Sequence, residues 1–175
     1  MLRLMLDNQP NLAIPHEAAI ITIYFKRLQT YGDLSTPGNV RRLLDDVSQH
    51  RLVKRGNLIP DPEAVLAQPI ATYRDFIEAI FDNYARSLDK PRWGDKTPYY
   101  TPDIDIIRGI FPDAKIIHLV RDGRDVVLSQ RSIEWMSGNL PKLILDWRWK
   151  TTIAHKVGVV LNDDFLEIRY EDVVR

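Results

Sequence analysis

An apolar segment that ends abruptly in a cluster of charges is the feature that most constrains the fold. Ile116-Ile117-His118-Leu119-Val120 is a nearly continuous apolar run, as expected for a central strand of a parallel sheet that is buried on both faces. Four charged residues and a glycine follow immediately, in the order Arg-Asp-Gly-Arg-Asp from residue 121 to 125. This is where the turn into the next helix is expected, so the segment predicts a strand followed by a helix.

Strand-like and helical segments alternate through the second half of the chain. The predicted strands cover residues 92–96, 114–120 and 164–170, and the predicted helices cover 101–111, a stretch from 122 onward, and 143–159. A loop containing Gly138 and Pro141 separates the last two helices. This spacing predicts crossover units, hence an α/β fold with a parallel sheet and flanking helices.

The first half of the chain is mainly helical in its pattern. A short helix precedes the break at residues 8–10, and longer helices are predicted over 16–30, 39–49 and 72–88, the last with Thr72 as a possible cap. Residues 60–69 form a proline-rich connector with at most one short helix. We therefore predict a single domain over 1–175, mainly helical over 1–90 and built of strands and helices over 91–175.

Composition excludes several classes of protein. Lys plus Arg and Asp plus Glu both total 24, and this neutral balance argues against a nucleic-acid binder, which needs a surplus of cations. The absence of cysteine excludes disulfides and thiolate chemistry. No apolar stretch is long enough for a membrane span, and the first residues lack a signal-peptide cleavage site, so we expect a cytoplasmic protein.

Because the net charge is zero, any anion site must be local, and the ends of the predicted strands are where we expect it. Backbone amides of the turn at 121–125, together with Arg121 or Arg124, would form such an anion pocket. The alternative is a solvated turn in which Asp122 or Asp125 caps the helix and pairs with an arginine.

Two further segments carry candidate chemistry. Lys96, in Trp-Gly-Asp-Lys-Thr-Pro, could present its ammonium to a phosphate or a leaving oxygen, or could simply be solvated. Glu17 or His16 could act as a general base, although Glu17 also suits the first turn of a helix and His16 a plain surface position. The other histidines do not form a metal-binding pattern, and no metal is predicted.

Taken together, four segments resemble one known family. LRLMLDNQPNLAIPHE, WGDKTP, IIHLVRDGRDVVLS and EIRYEDVV are similar to the sulfotransferases that use 3′-phosphoadenosine-5′-phosphosulfate (PAPS), in particular the bacterial branch related to protein-tyrosine sulfotransferases. The resemblance extends from Leu2 to Val174. It implies a P-loop-NTPase-like sulfotransferase fold and transfer of a sulfuryl group from PAPS to an acceptor hydroxyl or amine, leaving adenosine 3′,5′-bisphosphate.

The resemblance also assigns expected roles to individual residues. Arg121 and Ser129 match the family's ligands of the cofactor 3′-phosphate, with Gly123 and Arg124 in the same loop, and Tyr170 matches a tyrosine near the adenosine. Lys96 matches a lysine that neutralises charge on the departing phosphate oxygen. Glu17 matches the base of the tyrosine-sulfating members, with His16 as the alternative. The resemblance implies an acceptor that is a small molecule, a carbohydrate or a peptide.

The sequence departs from the family pattern at both ends. The family has a strand and an R-S-G-T-T-like loop, which grips the 5′-phosphosulfate, before the helix in which this sequence begins; it also continues beyond RYEDVV. We therefore expect an incomplete domain whose activity is impaired. Two alternatives stay open: a non-catalytic remnant that binds adenosine 3′,5′-bisphosphate or a protein partner, and a P-loop-type small-molecule kinase.

Overall fold

The computed structural model describes residues 1–131 and 139–174. By its contacts the chain divides into two compact units, Met1–Tyr100 and Thr101–Arg175, which are described separately below. The sequence instead predicts a single domain that is mainly helical over 1–90 and built of strands and helices over 91–175, and this division stays a prediction.

The first unit is built of six α-helices within its described residues. They are α1 (Leu2–Asp7), α2 (Ile20–Phe25), α3 (Pro37–Gln49), α4 (Arg51–Gly56), α5 (Pro62–Leu66) and α6 (Tyr73–Arg86), with a short 3-10 helix at Leu28–Thr30. Helices α3 and α6 place apolar residues at helical spacing on one face, and these faces form the core. The largest fully buried side chains of this core include Ile20, Leu43, Leu44, Val47, Leu58, Val65, Phe76, Ile77, Ile80 and Phe81.

The predicted cap at Thr72 is confirmed, and it is one half of a capping box. The Thr72 hydroxyl accepts a hydrogen bond from the backbone N–H of Asp75 at 3.2 Å, and the Asp75 carboxylate accepts one from the Thr72 N–H at 2.8 Å. Both donors would otherwise lack partners at the start of α6. The capping box therefore sets where this core helix begins.

The second unit contains a two-stranded parallel sheet and helices packed beside it. A 3-10 helix at Pro98–Asp103 leads into it, and its elements are α7 (Ile104–Ile110), β1 (Ile116–Val120), α8 (Gly123–Arg131), α9 (Leu140–Leu161), β2 (Phe165–Arg169) and α10 (Tyr170–Val173). Strands β1 and β2 pair in parallel, with Ile116 opposite Phe165 and Val120 opposite Arg169. The α/β fold with a parallel sheet is thus confirmed, and the two strands end side by side.

Several predicted elements differ from those observed. The helix expected over 16–30 starts only at Ile20, and the segment at 92–96 contributes a single parallel bridge, Ala13 to Trp93, instead of a strand. Pro141 lies in the first turn of α9 rather than in a loop, a position that suits proline because no N–H is needed there. Gly138, expected in the same loop, lies outside the described residues.

Strand β1 is less buried than its apolar sequence predicts. None of its five residues is fully buried, and Ile117 is 42% exposed while Leu166 on β2 is 55% exposed. Within the described residues the sheet has two strands, so β1 is hydrogen-bonded along one edge. With one neighbouring strand in the described residues, β1 is only partly covered, so the expectation of burial on both faces is wrong here.

Candidate functional site

In the first unit, the structure brings together two residues that the sequence singled out separately. The Lys96 ammonium forms an ion pair with the Glu17 carboxylate, although 79 residues separate them in the chain. Both side chains remain partly accessible, 41% exposed for Lys96 and 39% for Glu17. The Glu17 carboxylate can accept a proton from a molecule that arrives from solvent. The Lys96 ammonium can donate a hydrogen bond to the same molecule.

The segment that leads to Glu17 is held by hydrogen bonds with Arg3 and Asp7 of α1 and with Lys90. The Asp7 carboxylate accepts a bond from the Ile14 N–H at 2.9 Å, and Arg3 donates to the Ile14 carbonyl at 2.9 Å. Lys90 donates to the carbonyls of Asp7 and Leu12, the latter at 3.0 Å. These bonds keep residues 12–14 extended beside Trp93, so the two segments carrying Glu17 and Lys96 run next to each other.

Glu17 does not lie in the first turn of a helix, which was the structural alternative to a catalytic role. Helix α2 begins three residues later, at Ile20, after Ala19 adopts a left-handed conformation with φ of 57°. The left-handed conformation costs a non-glycine residue about 1–2 kcal/mol, so the surrounding packing must impose it. Ala19 is packed in this way, with only 4% of its surface exposed. The bend before α2 thus separates Glu17 from the helix.

His16 occupies a different environment from its neighbour. Its side chain is exposed, and its Cβ lies close to Gly56 at the end of α4. No hydrogen bond or ion pair of the His16 ring occurs within the described residues. The geometry therefore pairs Glu17, rather than His16, with Lys96.

Sequence reasoning missed a carboxylate next to Lys96. Asp95 Oδ2 accepts a hydrogen bond from the Tyr100 hydroxyl at 2.6 Å, and the Thr97 hydroxyl lies 3.3 Å from Asp95 Oδ1. Burial raises the pKa of Asp95 to about 6, against these hydrogen bonds and the nearby Lys96, which favour its ionised form. The sequence carried no signal for this role, because the partners of Asp95 and its degree of burial are set by the folded chain.

In the second unit, the predicted cofactor residues Arg121 and Tyr170 lie together at the carboxyl ends of β1 and β2. The Arg121 guanidinium carbon is 4.9 Å from the centroid of the Tyr170 ring, and Arg121 also forms a 3.5 Å ion pair with Asp125. The Arg121 Nε is buried and has no hydrogen-bond partner within the described residues. A buried guanidinium N–H without a partner is a donor available to an anion.

A cavity of about 270 Å³ opens at these strand ends. Its lining includes Val120, Arg121, Asp122, Gly123, Trp147, Arg169 and Glu171. Two of these residues are arginines and two are carboxylates, and the cavity lies at the turn where the sequence predicts a local anion site; that site stays a prediction. Trp147 and Glu171 had no signal in the sequence, because α9 and α10 bring them here only in the folded unit.

Gly123 is required by the close approach of Trp147. A Cβ at Gly123 would lie 2.9 Å from the indole carbons, while the indole Nε1 donates a hydrogen bond to the Arg121 carbonyl at 3.2 Å. The indole therefore packs directly onto the turn between β1 and α8. This contact fixes the backbone that carries Arg121.

Arg124 and Ser129 are not among the residues that line the cavity. Arg124 is 88% exposed and makes a bidentate pair with Asp122, at 3.0 and 2.7 Å, which lowers the pKa of Asp122 to about 2. The Asp122 N–H in turn donates to Glu171 at 3.0 Å. For Arg124 the arrangement matches the solvated-turn alternative. Ser129 lies in the second turn of α8 with an exposed side chain.

Comparison with known proteins agrees with the family resemblance. The family model for the sulfotransferase family matches residues 1–175, so this chain belongs to that family. Membership supports a sulfotransferase-type function and agrees with the α/β fold. The comparisons with curated proteins and with solved structures each found no match.

The described part of the chain has neither a membrane-spanning helix nor a cluster of metal-binding side chains. No helix there combines the length and the apolar character that a membrane crossing requires. Nor do three His, Asp or Glu side chains of residues 1–131 and 139–174 converge as metal ligands would.

Proposed function

We propose that this protein transfers a sulfuryl group from PAPS to the hydroxyl or amine of a small-molecule, carbohydrate or peptide acceptor. The observation that carries the proposal is the contact between Glu17 and Lys96, two residues to which the family resemblance independently assigns catalytic roles. Membership of the sulfotransferase family supports the reaction class.

In this proposal each member of the pair has one task. The Glu17 carboxylate accepts the proton of the acceptor hydroxyl or amine as the acceptor oxygen or nitrogen attacks sulfur. The Lys96 ammonium donates a hydrogen bond to the oxygen that departs with the bisphosphate, where negative charge accumulates. PAPS supplies the activated sulfuryl group, and its chemistry needs positioning and charge stabilisation rather than a redox change.

The residues of the second unit fit a phosphate group. Arg121 offers a buried Nε–H without a partner in the described residues, and Arg169 adds a second cation to the same cavity. A volume of about 270 Å³ accommodates a phosphate but is smaller than the sites that enclose whole drug-sized ligands. We propose that Arg121 binds the 3′-phosphate, with Ser129, Gly123 and Arg124 on the same turn and helix and Tyr170 near the adenosine.

Sulfuryl transfer from ³⁵S-labelled PAPS to a panel of tyrosine peptides, sugars and small alcohols and amines is the direct test. It is run on the purified protein. We expect transfer to at least one acceptor class, and release of adenosine 3′,5′-bisphosphate in equal amount.

The same assay separates the alternatives. Binding of adenosine 3′,5′-bisphosphate without transfer to any acceptor would support a non-catalytic remnant. Phosphoryl transfer from ATP that requires magnesium would support a kinase. Either result would contradict the proposed function.

A further inference from the structure

A buried hydrogen-bond network lies directly beside Lys96 in the first unit. Asp95 accepts hydrogen bonds from the hydroxyls of Tyr100 and Thr97 and from the Lys96 backbone N–H. Tyr100 is 9% exposed and Thr97 is 8% exposed, so the network is largely shielded from water. Buried polar groups that are mutually satisfied are rigid, because breaking any one bond leaves another group unpaired.

The Tyr100 hydroxyl also reaches the helix that follows Glu17. It accepts a hydrogen bond from the Ile21 N–H at 3.4 Å, in the first turn of α2. That turn has no side-chain cap from its own N-cap residue, Ala19, so its N–H groups need partners from elsewhere. One tyrosine hydroxyl therefore links the segment carrying Lys96 to the helix four residues beyond Glu17.

The Glu17–Lys96 ion pair by itself fixes its two side chains less firmly than the hydrogen-bond network of Asp95 and Tyr100 fixes its members. Both side chains are about two-fifths exposed, and ion pairs of that kind contribute little because water screens them and side-chain entropy opposes them. What keeps the two segments in register must then be the buried contacts behind the pair.

We propose that Asp95 and Tyr100 are positioning residues that hold Lys96 against Glu17. The proposal rests on the proposed function only in treating that pair as catalytic; the positioning itself is a statement about geometry. It predicts that losing the Tyr100 hydroxyl separates Glu17 from Lys96 without removing either group.

Zero-length carbodiimide cross-linking tests the geometry without any need for activity. The reagent joins a carboxylate to an amine only where the two are in contact, and mass spectrometry quantifies the joined tryptic peptides that carry Glu17 and Lys96. The Lys115–Asp164 ion pair of the second unit serves as the internal reference in the same digest. For Tyr100→Phe we expect the yield relative to the reference to fall about fivefold, the population change that one net hydrogen bond corresponds to.

The matched control is Tyr31→Phe. Tyr31 is also a buried tyrosine of the first unit, 6% exposed, whose hydroxyl donates to an aspartate, Asp46, at 2.8 Å. Its loss removes the same kind of bond, and the Tyr31 hydroxyl bonds to Asp46 and not to Asp95 or Ile21, so the yield should be unchanged. Equal yields in Tyr100→Phe and the unaltered protein, or equal losses in both variants, would overturn the proposal.

A second variant and a kinetic readout cover the case in which Tyr100→Phe fails to fold. Asp95→Asn keeps the shape and can still accept the Tyr100 bond on its one oxygen, but it loses the second acceptor oxygen and the negative charge, so a smaller fall in cross-linking is expected. In the active protein Tyr100→Phe should lower kcat about fivefold and leave the KM for PAPS unchanged. If the unaltered protein transfers no sulfate, the proposed function fails while the cross-linking result still decides the positioning; an unchanged yield in Asp95→Asn contradicts it.

Discussion

The guanidinium of Arg121 lies over the ring of Tyr170, 4.9 Å from its centroid, because the parallel strands β1 and β2 end side by side. The ring holds the guanidinium by a cation–π contact, while the Arg121 Nε keeps a buried N–H without a partner in the described residues. A guanidinium that is held in one orientation and still has an unbonded N–H is suited to bind an incoming anion.

Arg121→Ala should weaken the binding of adenosine 3′,5′-bisphosphate by about tenfold or more, since a hydrogen bond to a charged group contributes about 1.5–3 kcal/mol. The affinity for adenosine 5′-monophosphate, which lacks the 3′-phosphate, should stay almost the same. Isothermal titration calorimetry measures both affinities. Arg131→Ala removes an exposed arginine from α8, the helix that follows Arg121, and is the matched control for charge. Equal losses for both nucleotides would refute the assignment.

Glu17→Gln should lower kcat by about 10²–10⁴, the usual contribution of a general base, while the affinity for the cofactor changes little. The comparison variant is His16→Gln, which alters the adjacent exposed residue and should retain activity. Steady-state kinetics on the purified protein decide between them. Should Glu17→Gln remain active and His16→Gln lose activity, His16 is the base.

Lys96→Met should lower kcat by about 10²–10³, as removal of one donor to developing charge does elsewhere. Its free energy of unfolding should change by less than about 1 kcal/mol, because the ion pair with Glu17 is well exposed. Urea denaturation and kinetics on the same sample measure the two quantities. A loss of stability large enough to unfold the protein under assay conditions would point to a structural role instead.

The raised pKa of Asp95 predicts a pH dependence of stability. Its ordinary value is 3.8 and burial raises it to about 6, so between these values the folded protein binds more protons at this site than the unfolded chain. The free energy of unfolding contributed by Asp95 therefore falls as the pH rises from about 4 to 6 and is level above that. Urea denaturation across pH 4–7 measures the free energy of unfolding of the unaltered protein and of Asp95→Asn. The difference between the two isolates the contribution of Asp95 from that of carboxylates with lowered pKa values. A difference that does not change with pH contradicts the prediction.

Gly123→Ala should destabilise the second unit by about 1–3 kcal/mol, because the added methyl group would overlap the Trp147 indole. Gly109→Ala, in α7, is the control: a Cβ there meets nothing within 4 Å, and alanine favours a helix over glycine. Thermal unfolding of both variants measures the contrast. Equal stability of the two would mean that the indole moves aside without cost.

Local sequence signals located most of the elements near the candidate site. The apolar run at 116–120 is β1, the final strand is β2, and Thr72 begins α6, because period, capping and turn residues act over a few neighbours. The same reasoning failed at residues 16–19. There the helical pattern continues, but Ile14 donates a hydrogen bond to the Asp7 carboxylate and accepts one from Arg3, and these bonds keep the preceding chain extended.

Residue type and spacing along the chain were enough to predict the fold class, the family and the chemical character of Glu17, Lys96 and Arg121. The folded structure was needed to show that Glu17 contacts Lys96, that Asp95 accepts a hydrogen bond from Tyr100, and that Trp147 packs on Gly123. Contacts between residues far apart in sequence arise from how whole elements pack and not from any local pattern, and burial and pKa values follow from that packing.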